Sequence, residues 1–185
     1  QSLSGRDYGF KDGIPHRVIA DHLRMLSFSL ADGAMPGNEG RGYVLRRVLR
    51  RAARFGRMLE MEKPFIYKLI KTLCQNMGDT FPELIEKKKH IEKIIRTEET
   101  SFNGTLNRGL EVYSKITSSL TAESIICGSD AFKLYDTYGF PLDLTALMAR
   151  EDGYEVDIDG FNICMSKQKD RARGEGRFQY KPNAS

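Results

Sequence analysis

Residues 36–51, PGNEGRGYVLRRVLRR, set a glycine-rich elbow directly before a run of paired arginines, and their spacing decides how the chain is built. At about 100° per residue, Val44, Leu45, Val48, Leu49, Ala52, Ala53, Phe55 and Leu59 fall on one side of a helix. Arg46, Arg47, Arg50, Arg51, Arg54 and Arg57 fall on the other. The stretch therefore reads as an amphipathic helix with one apolar and one cationic face. Gly33 to Gly42, with four glycines and a proline, reads as a turn-rich elbow without regular structure.

The helical period extends in both directions. Pro15 suits a first helical turn, and Val18, Ile19, His22, Leu23, Leu26 and Leu30 recur until Gly33. Pro64 opens a shorter pattern with Phe65, Ile66, Leu69, Ile70, Leu73 and Met77, closed by Gly78. Pro82 opens the longest, carrying Leu84, Ile85, Ile91, Ile94, Ile95, Phe102, Leu106, Tyr113 and Ile116. Its mixed outer face supports it through i,i+4 pairs, and Gly104 and Gly109 are candidate bends. Beyond a linker from Thr121 to Gly128, Ser129 can cap a helix through Leu134 and Asp143 one from Leu144 to Glu151. Tyr154 to Asp157 is at most a short extended segment, and a last helix runs from about Asp159 to Arg171.

The expected fold class is all-α, a helical bundle of six or seven helices with a candidate division into two lobes near Thr121. The expected organisation is a patternless segment 1–14, a bundle 15–120 holding the Arg-rich helix, a lobe 121–173 holding LYDTYGFP, and a frayed polar tail 174–185.

Composition narrows the function classes. With 185 residues, 40% hydrophobic and 29% charged, the chain can bury a substantial core and is not disordered in character. No apolar run approaches the roughly 20 residues of a membrane span, and the first residues lack a signal peptide's apolar stretch, so no membrane partner and a cytoplasmic location are expected. The start at Gln1 in place of methionine points to a piece of something longer. Cys74, Cys127 and Cys164 are odd in number and widely spaced, so they are expected as reduced thiols.

The net charge of +4 is modest, but seven arginines and no acid lie between Arg41 and Arg57. Like charges at i,i+4, such as Arg46 with Arg50 and Arg47 with Arg51, repel by roughly 0.2–0.5 kcal/mol per pair. A face built only for solubility has no reason to accept that. Arginine's planar fork binds phosphate at two points, so a nucleic-acid backbone is the natural polyanion. A solvated face and an intramolecular acidic partner are the other two readings.

The second constellation is LYDTYGFPLDLT, residues 134–145, an aromatic turn with Asp136 inside it. An aspartate in a turn ordinarily bonds its own backbone, and Asp143 reads as a helix N-cap.

Three stretches, taken together, closely resemble the alanyl-tRNA synthetases: RVIADHLRMLSFSLADGAMPGNEGRGYVLRRVLRRAARFG, MGDTFPEL and AFKLYDTYGFPLDLTALMARE. The resemblance covers roughly Arg17 to Arg173, in the family's order. It implies the helical region that follows the class II aminoacylation core and precedes the editing domain, the part that holds the acceptor stem of alanine tRNA. Asn38 and Asp136 match the residues that read the stem's third base pair, a G·U wobble. The chemistry fits, since the shallow minor groove of A-form RNA displays guanine's 2-amino donor and the pyrimidine O2 acceptor. In a wobble pair that amino group lacks a Watson–Crick partner. An acceptor-only carboxylate suits the guanine, and an amide suits the other side or a ribose hydroxyl. Arg41, Arg46, Arg47, Arg50, Arg51 and Arg54 are the candidate backbone contacts, setting register without reading sequence. Gly37 stands where serine is commoner in the family.

The same resemblance implies which chemistry lies elsewhere. ATP, magnesium and zinc are expected only for the full-length enzyme, because nothing here resembles the class II motifs or the editing domain's HxxxH ligands. No cofactor, metal or catalytic residue is expected in this region, which should not aminoacylate alone. The expected partners are the alanine tRNA acceptor stem and the remainder of the same chain, with no DNA. His16, His22 and His90 do not cluster, and His22 reads as a hydrogen-bonded core histidine. A DNA-binding domain is a poorer reading, because a recognition helix mixes Asn, Gln and Ser among its basic residues. A scaffold whose Arg face docks an acidic partner is the remaining alternative. The stretch 152–160 does not hold its glycine and a closing glutamate at EF-hand offsets, so it is not expected to bind calcium.

Overall fold

Proline has no amide proton to give a helix, so Pro15 fits only a first turn, and α1 (Ile14–Ala31) begins around it. The computed structural model describes residues 3–9, 13–121 and 124–177, the side chains of 172–177 excepted. It has eight α-helices among the described residues and forms two compact units, Gln1–Asn107 and Arg108–Ser185. The fold is all-α, as the apolar periodicity implies.

In the first unit, Ile19, Leu23, Leu26 and Leu30 of α1 pack along Leu45, Leu49, Ala52 and Phe55 of α2 (Gly40–Met58). Each of the Ile, Leu and Phe side chains among them contributes roughly 1.5–3 kcal/mol of burial free energy before chain entropy is subtracted. Val44 is 38% exposed and Val48 half-buried, so the apolar stripe is narrower than the wheel implies. The elbow closes early, since Gly40 to Gly42 are already helical. A Cβ at Gly42 would stand 2.5 Å from Met35 O and 2.8 Å from Gly37 N, so the elbow folds back onto the helix's first turn. A side chain at Gly37 would meet only Gly42 Cα at 3.8 Å, so a serine fits there.

Pro64 does not itself open a helix. A 3-10 turn (Ile66–Leu69) leads into α3 (Ile70–Met77), and its start is fixed from outside. The Glu99 carboxylate accepts the N–H of Phe65 at 2.9 Å and of Ile66 at 3.0 Å. The pattern from Pro82 is broken at Lys87 into α4 (Pro82–Glu86) and α5 (Lys88–Ser118), which supplies the additional helix. Lys87 Nζ donates to Ala31 O, anchoring that break to the end of α1. Ile91, Ile95, Phe102 and Leu106 bury one row of α5, and Glu99 lies wholly buried in the same row.

The two candidate bends differ. Gly104 has nothing within 4 Å of where a Cβ would stand, whereas at Gly109 a Cβ would meet the Phe140 ring at 2.2 Å. Gly109 is therefore there for close packing. Gly104→Ala is expected to raise stability by about 0.5–1 kcal/mol through helix propensity, read as a higher urea midpoint.

The division between units falls inside α5, earlier than the Thr121 linker. The physical cause is that the end of α5 is tied into the second unit by Gly109 against Phe140 and by Tyr113, whose hydroxyl donates to Asp152 Oδ2 at 2.8 Å. There, β1 (Ile125–Ile126) pairs in parallel with β2 (Glu155–Val156), a minimal bridge between linker and extended segment. Helices α6 (Gly128–Tyr138), α7 (Leu142–Glu151) and α8 (Ile158–Arg177) surround Leu134, Phe140, Leu144, Met148 and Phe161.

The capping differs from expectation. Cys127 and Pro141 are the N-cap residues of α6 and α7, so Ser129 and Asp143 lie inside the first turns. Asp143 there still favours the helix dipole. The cap that does form is Asp157, whose Oδ1 accepts the N–H of Gly160 at 2.8 Å to start α8. Helix α8 runs on through Arg177, beyond the expected Arg171, and residues 178–185 of the expected tail lie outside the described residues.

Candidate nucleic-acid interface

Asn38 precedes the N-cap Glu39 of α2, on the surface of the first unit, with its side chain exposed. Its Oδ1 accepts from Arg46 Nη1. Among the described residues no acceptor takes its Nδ2. The same Arg46 donates Nε to Glu98 Oε2 at 3.0 Å and Nη2 to Glu98 Oε1 at 2.9 Å, a two-point fork with the partners' side chains 21% and 20% exposed. For Arg46 the intramolecular acidic partner is the reading the structure bears out.

The other arginines are also less open than a solvated face. Arg47, Arg50, Arg51, Arg54 and Arg57 are half-buried, and only Arg41, in the first turn, is exposed. Arg50 lies over the Phe102 ring at 5.3 Å and Arg54 over the Phe55 ring at 5.2 Å. The Nε of Arg51 and of Arg57 is buried without a hydrogen-bond partner. These stems pack on protein while their charge stays near the surface, which lowers the cost of holding so many arginines on one helix. Arg51's charge reaches His22, whose pKa is lowered first by burial and then by that arginine. His22 is half-buried and holds no hydrogen bond among the described residues, so it is not the core histidine its register implies.

Asp136 stands in the second unit, inside α6 and not in a turn, because the helix continues to Tyr138. Gly139 ends it in the left-handed conformation, φ 71°, which a side chain would strain. The Asp136 carboxylate is exposed and makes no Asx bond to its own backbone. Its Oδ1 accepts from Gln168 Nε2 of α8, leaving Oδ2 open. Below it, Tyr135 and Phe161 meet edge to face at 5.6 Å and hold α6 on α8.

Each readout candidate, one on each unit, thus has one oxygen engaged by a neighbouring side chain and one hydrogen-bonding atom presented outward. Sequence reasoning missed both supporting groups. Glu98 had a signal, since two adjacent acids at 98 and 99 interrupt the apolar row Ile91, Ile95, Phe102, Leu106. Gln168 had none, because one glutamine on a polar helix is indistinguishable from its neighbours. Among the described residues no group of His, Cys, Asp and Glu is placed to hold a metal, and no helix is long and apolar enough to cross a membrane.

An all-α chain with an Arg-faced helix and these two exposed groups belongs to a family that comparison identifies directly. The family of tRNA synthetases class II (A) matches residues 1–184, and the chain is a member of it. Within that family its curated relatives include the alanine-tRNA ligase of Chlorobium chlorochromatii, 51% identical over 95% of this chain. Those of Chlorobaculum tepidum, 56% identical over 86%, and Akkermansia muciniphila, 51% identical over 92%, are similarly close. The chain spans about one fifth of the length of these relatives, 20%, 18% and 18% respectively.

Proposed function

We propose that this chain is the acceptor-stem recognition region of an alanyl-tRNA synthetase, and that it reads the G·U third base pair with Asp136 and Asn38. The full enzyme would attach alanine to its tRNA in an ATP-dependent reaction in the cytoplasm, with ATP, magnesium and zinc held outside this region. By itself the region would not aminoacylate. The observation that carries the reading is the exposed, half-satisfied state of the two side chains at the motif positions. Asp136 keeps Oδ2 to accept from guanine's 2-amino group, and Asn38 keeps Nδ2 to donate to the pyrimidine O2 or a ribose hydroxyl. Arg41, Arg47, Arg50, Arg51 and Arg54 are the proposed phosphate contacts; Arg46 is already committed to Glu98.

The test is binding of acceptor-stem hairpins carrying G·U or G·C at the third pair, at two salt concentrations. Asp136→Ala is expected to remove roughly 1–3 kcal/mol of discrimination while leaving G·C binding nearly unchanged. Equal weakening of both stems would make Asp136 a structural residue. Arg47→Gln with Arg51→Gln should weaken all stems and reduce the slope of log K against log salt by about one for each phosphate no longer neutralised. An unchanged slope would remove that flank from the interface.

A further inference from the structure

The amide of Asn38 has two ends that ask opposite things of a base edge, an oxygen that accepts and a nitrogen that donates. Free on a surface, it presents either by a half-turn of its last torsion, which is broad and nearly two-fold. Here it is not free to choose, because Arg46 Nη1 occupies the oxygen. Arginine carries only donors, so the amide cannot turn its NH2 group toward that guanidinium without setting donor against donor. The guanidinium is itself fixed from a second direction, since Nε and Nη2 lie on the two carboxylate oxygens of Glu98 at 3.0 and 2.9 Å. That fork is four-fifths buried, with its arginine on α2 and its carboxylate on α5. A bidentate guanidinium–carboxylate pair has one geometry, and lysine cannot reproduce it.

We infer that Arg46 and Glu98 are positioning residues for Asn38, holding its amide with the oxygen inward so that the elbow presents a donor to the acceptor stem. This rests on the proposal that Asn38 contacts the third base pair. The consequence is polarity of readout. A pyrimidine O2 on that side is accepted. A guanine there sets its 2-amino donor against the amide's own and leaves only N3 to accept, so the locked amide favours G·U over the reversed U·G pair, which has the same two bases in exchanged places.

The experiment uses the full-length enzyme and acceptor-stem minihelices with G·U or U·G at the third pair, measuring kcat/KM for each. Glu98→Gln, which turns one of the fork's acceptors into a donor, and Arg46→Lys, which keeps the charge but loses the fork, should each lower the G·U over U·G ratio by about tenfold. Most of that change should arise from a gain on U·G as the amide becomes free to turn. Because the readout is a ratio within one variant, a smaller amount of folded enzyme cancels. In an Asn38→Ala background, Glu98→Gln should add nothing. If Asn38→Ala leaves the ratio unchanged, the readout by Asn38 is wrong and the positioning falls with it. If Asn38→Ala lowers the ratio but Glu98→Gln and Arg46→Lys do not, or if their effects add to it in full, the positioning alone is overturned.

Discussion

Replacing Glu99 by alanine is expected to cost the chain roughly 3–5 kcal/mol of folding stability, seen as a lower urea midpoint. Glu99 is 0% exposed and receives the backbone N–H of Phe65 and of Ile66 at the mouth of the 3-10 turn. Alanine leaves both donors buried without an acceptor, at about 1–3 kcal/mol each, and adds a cavity beside Phe102 and Ile95. Glutamine keeps one acceptor and nearly the same volume, so it should cost less and should reveal the charge separately. Burial pushes the Glu99 carboxyl up to about 7, against the two N–H groups and the charges of Arg57 and Lys68, which pull it down. The folded-state pKa thus exceeds the ordinary 4.5, and between those values the folded chain keeps a proton that the unfolded chain releases. The resulting stabilisation is fully present below about pH 4.5 and is lost as pH rises through about 7, an effect of roughly 3 kcal/mol. Urea midpoints of the parent and of Glu99→Gln at about pH 5 and about pH 7.5, on either side of that transition, check this. The variant should show the flatter dependence, and parallel curves would remove Glu99 as the source.

That residue also marks where the sequence is legible and where it is not. Helices α1 and α2 could be read directly, because Pro15 and the rows Ile19, Leu23, Leu26 and Leu45, Leu49, Ala52 follow one period that burial then obeys. The tertiary uses of polar groups could not. Periodicity places Glu98 and Glu99 on α5, but only the fold brings Arg46 to one and the Phe65 amide to the other, across 52 and 34 residues of chain. Local cap signals failed for a related reason. Ser129 and Asp143 are good caps by type, yet the bridge between β1 and β2 and the rigid Pro141 start their helices earlier. Motif resemblance is what proposes Asn38 and Asp136, whereas the bonds that Arg46 and Gln168 donate to one oxygen of each are made by the fold.

Gly128→Ala is the second large effect expected, a loss of roughly 2–3 kcal/mol in the second unit. A Cβ at Gly128 would stand 2.3 Å from Phe161 N, 2.4 Å from Gly160 C and 2.6 Å from Gly160 Cα. These are backbone atoms of α8, which cannot swing aside as a ring or a flexible side chain does. Nor can the first turn of α8 yield locally, since Asp157 Oδ1 holds the N–H of Gly160 and the bridge at Val156 precedes it. The strain must be relieved by moving α8 as a body off α6. Such a shift separates the Tyr135 and Phe161 rings and carries Gln168 away from Asp136, on the same two helices. The substitution should therefore lower the melting temperature and also blunt discrimination between G·U and G·C stems, although it touches neither Asp136 nor Gln168. A normal melting temperature would show that the crossing has room for a methyl group. A lowered one with undiminished discrimination would show that Asp136 holds its carboxylate in place without help from α8.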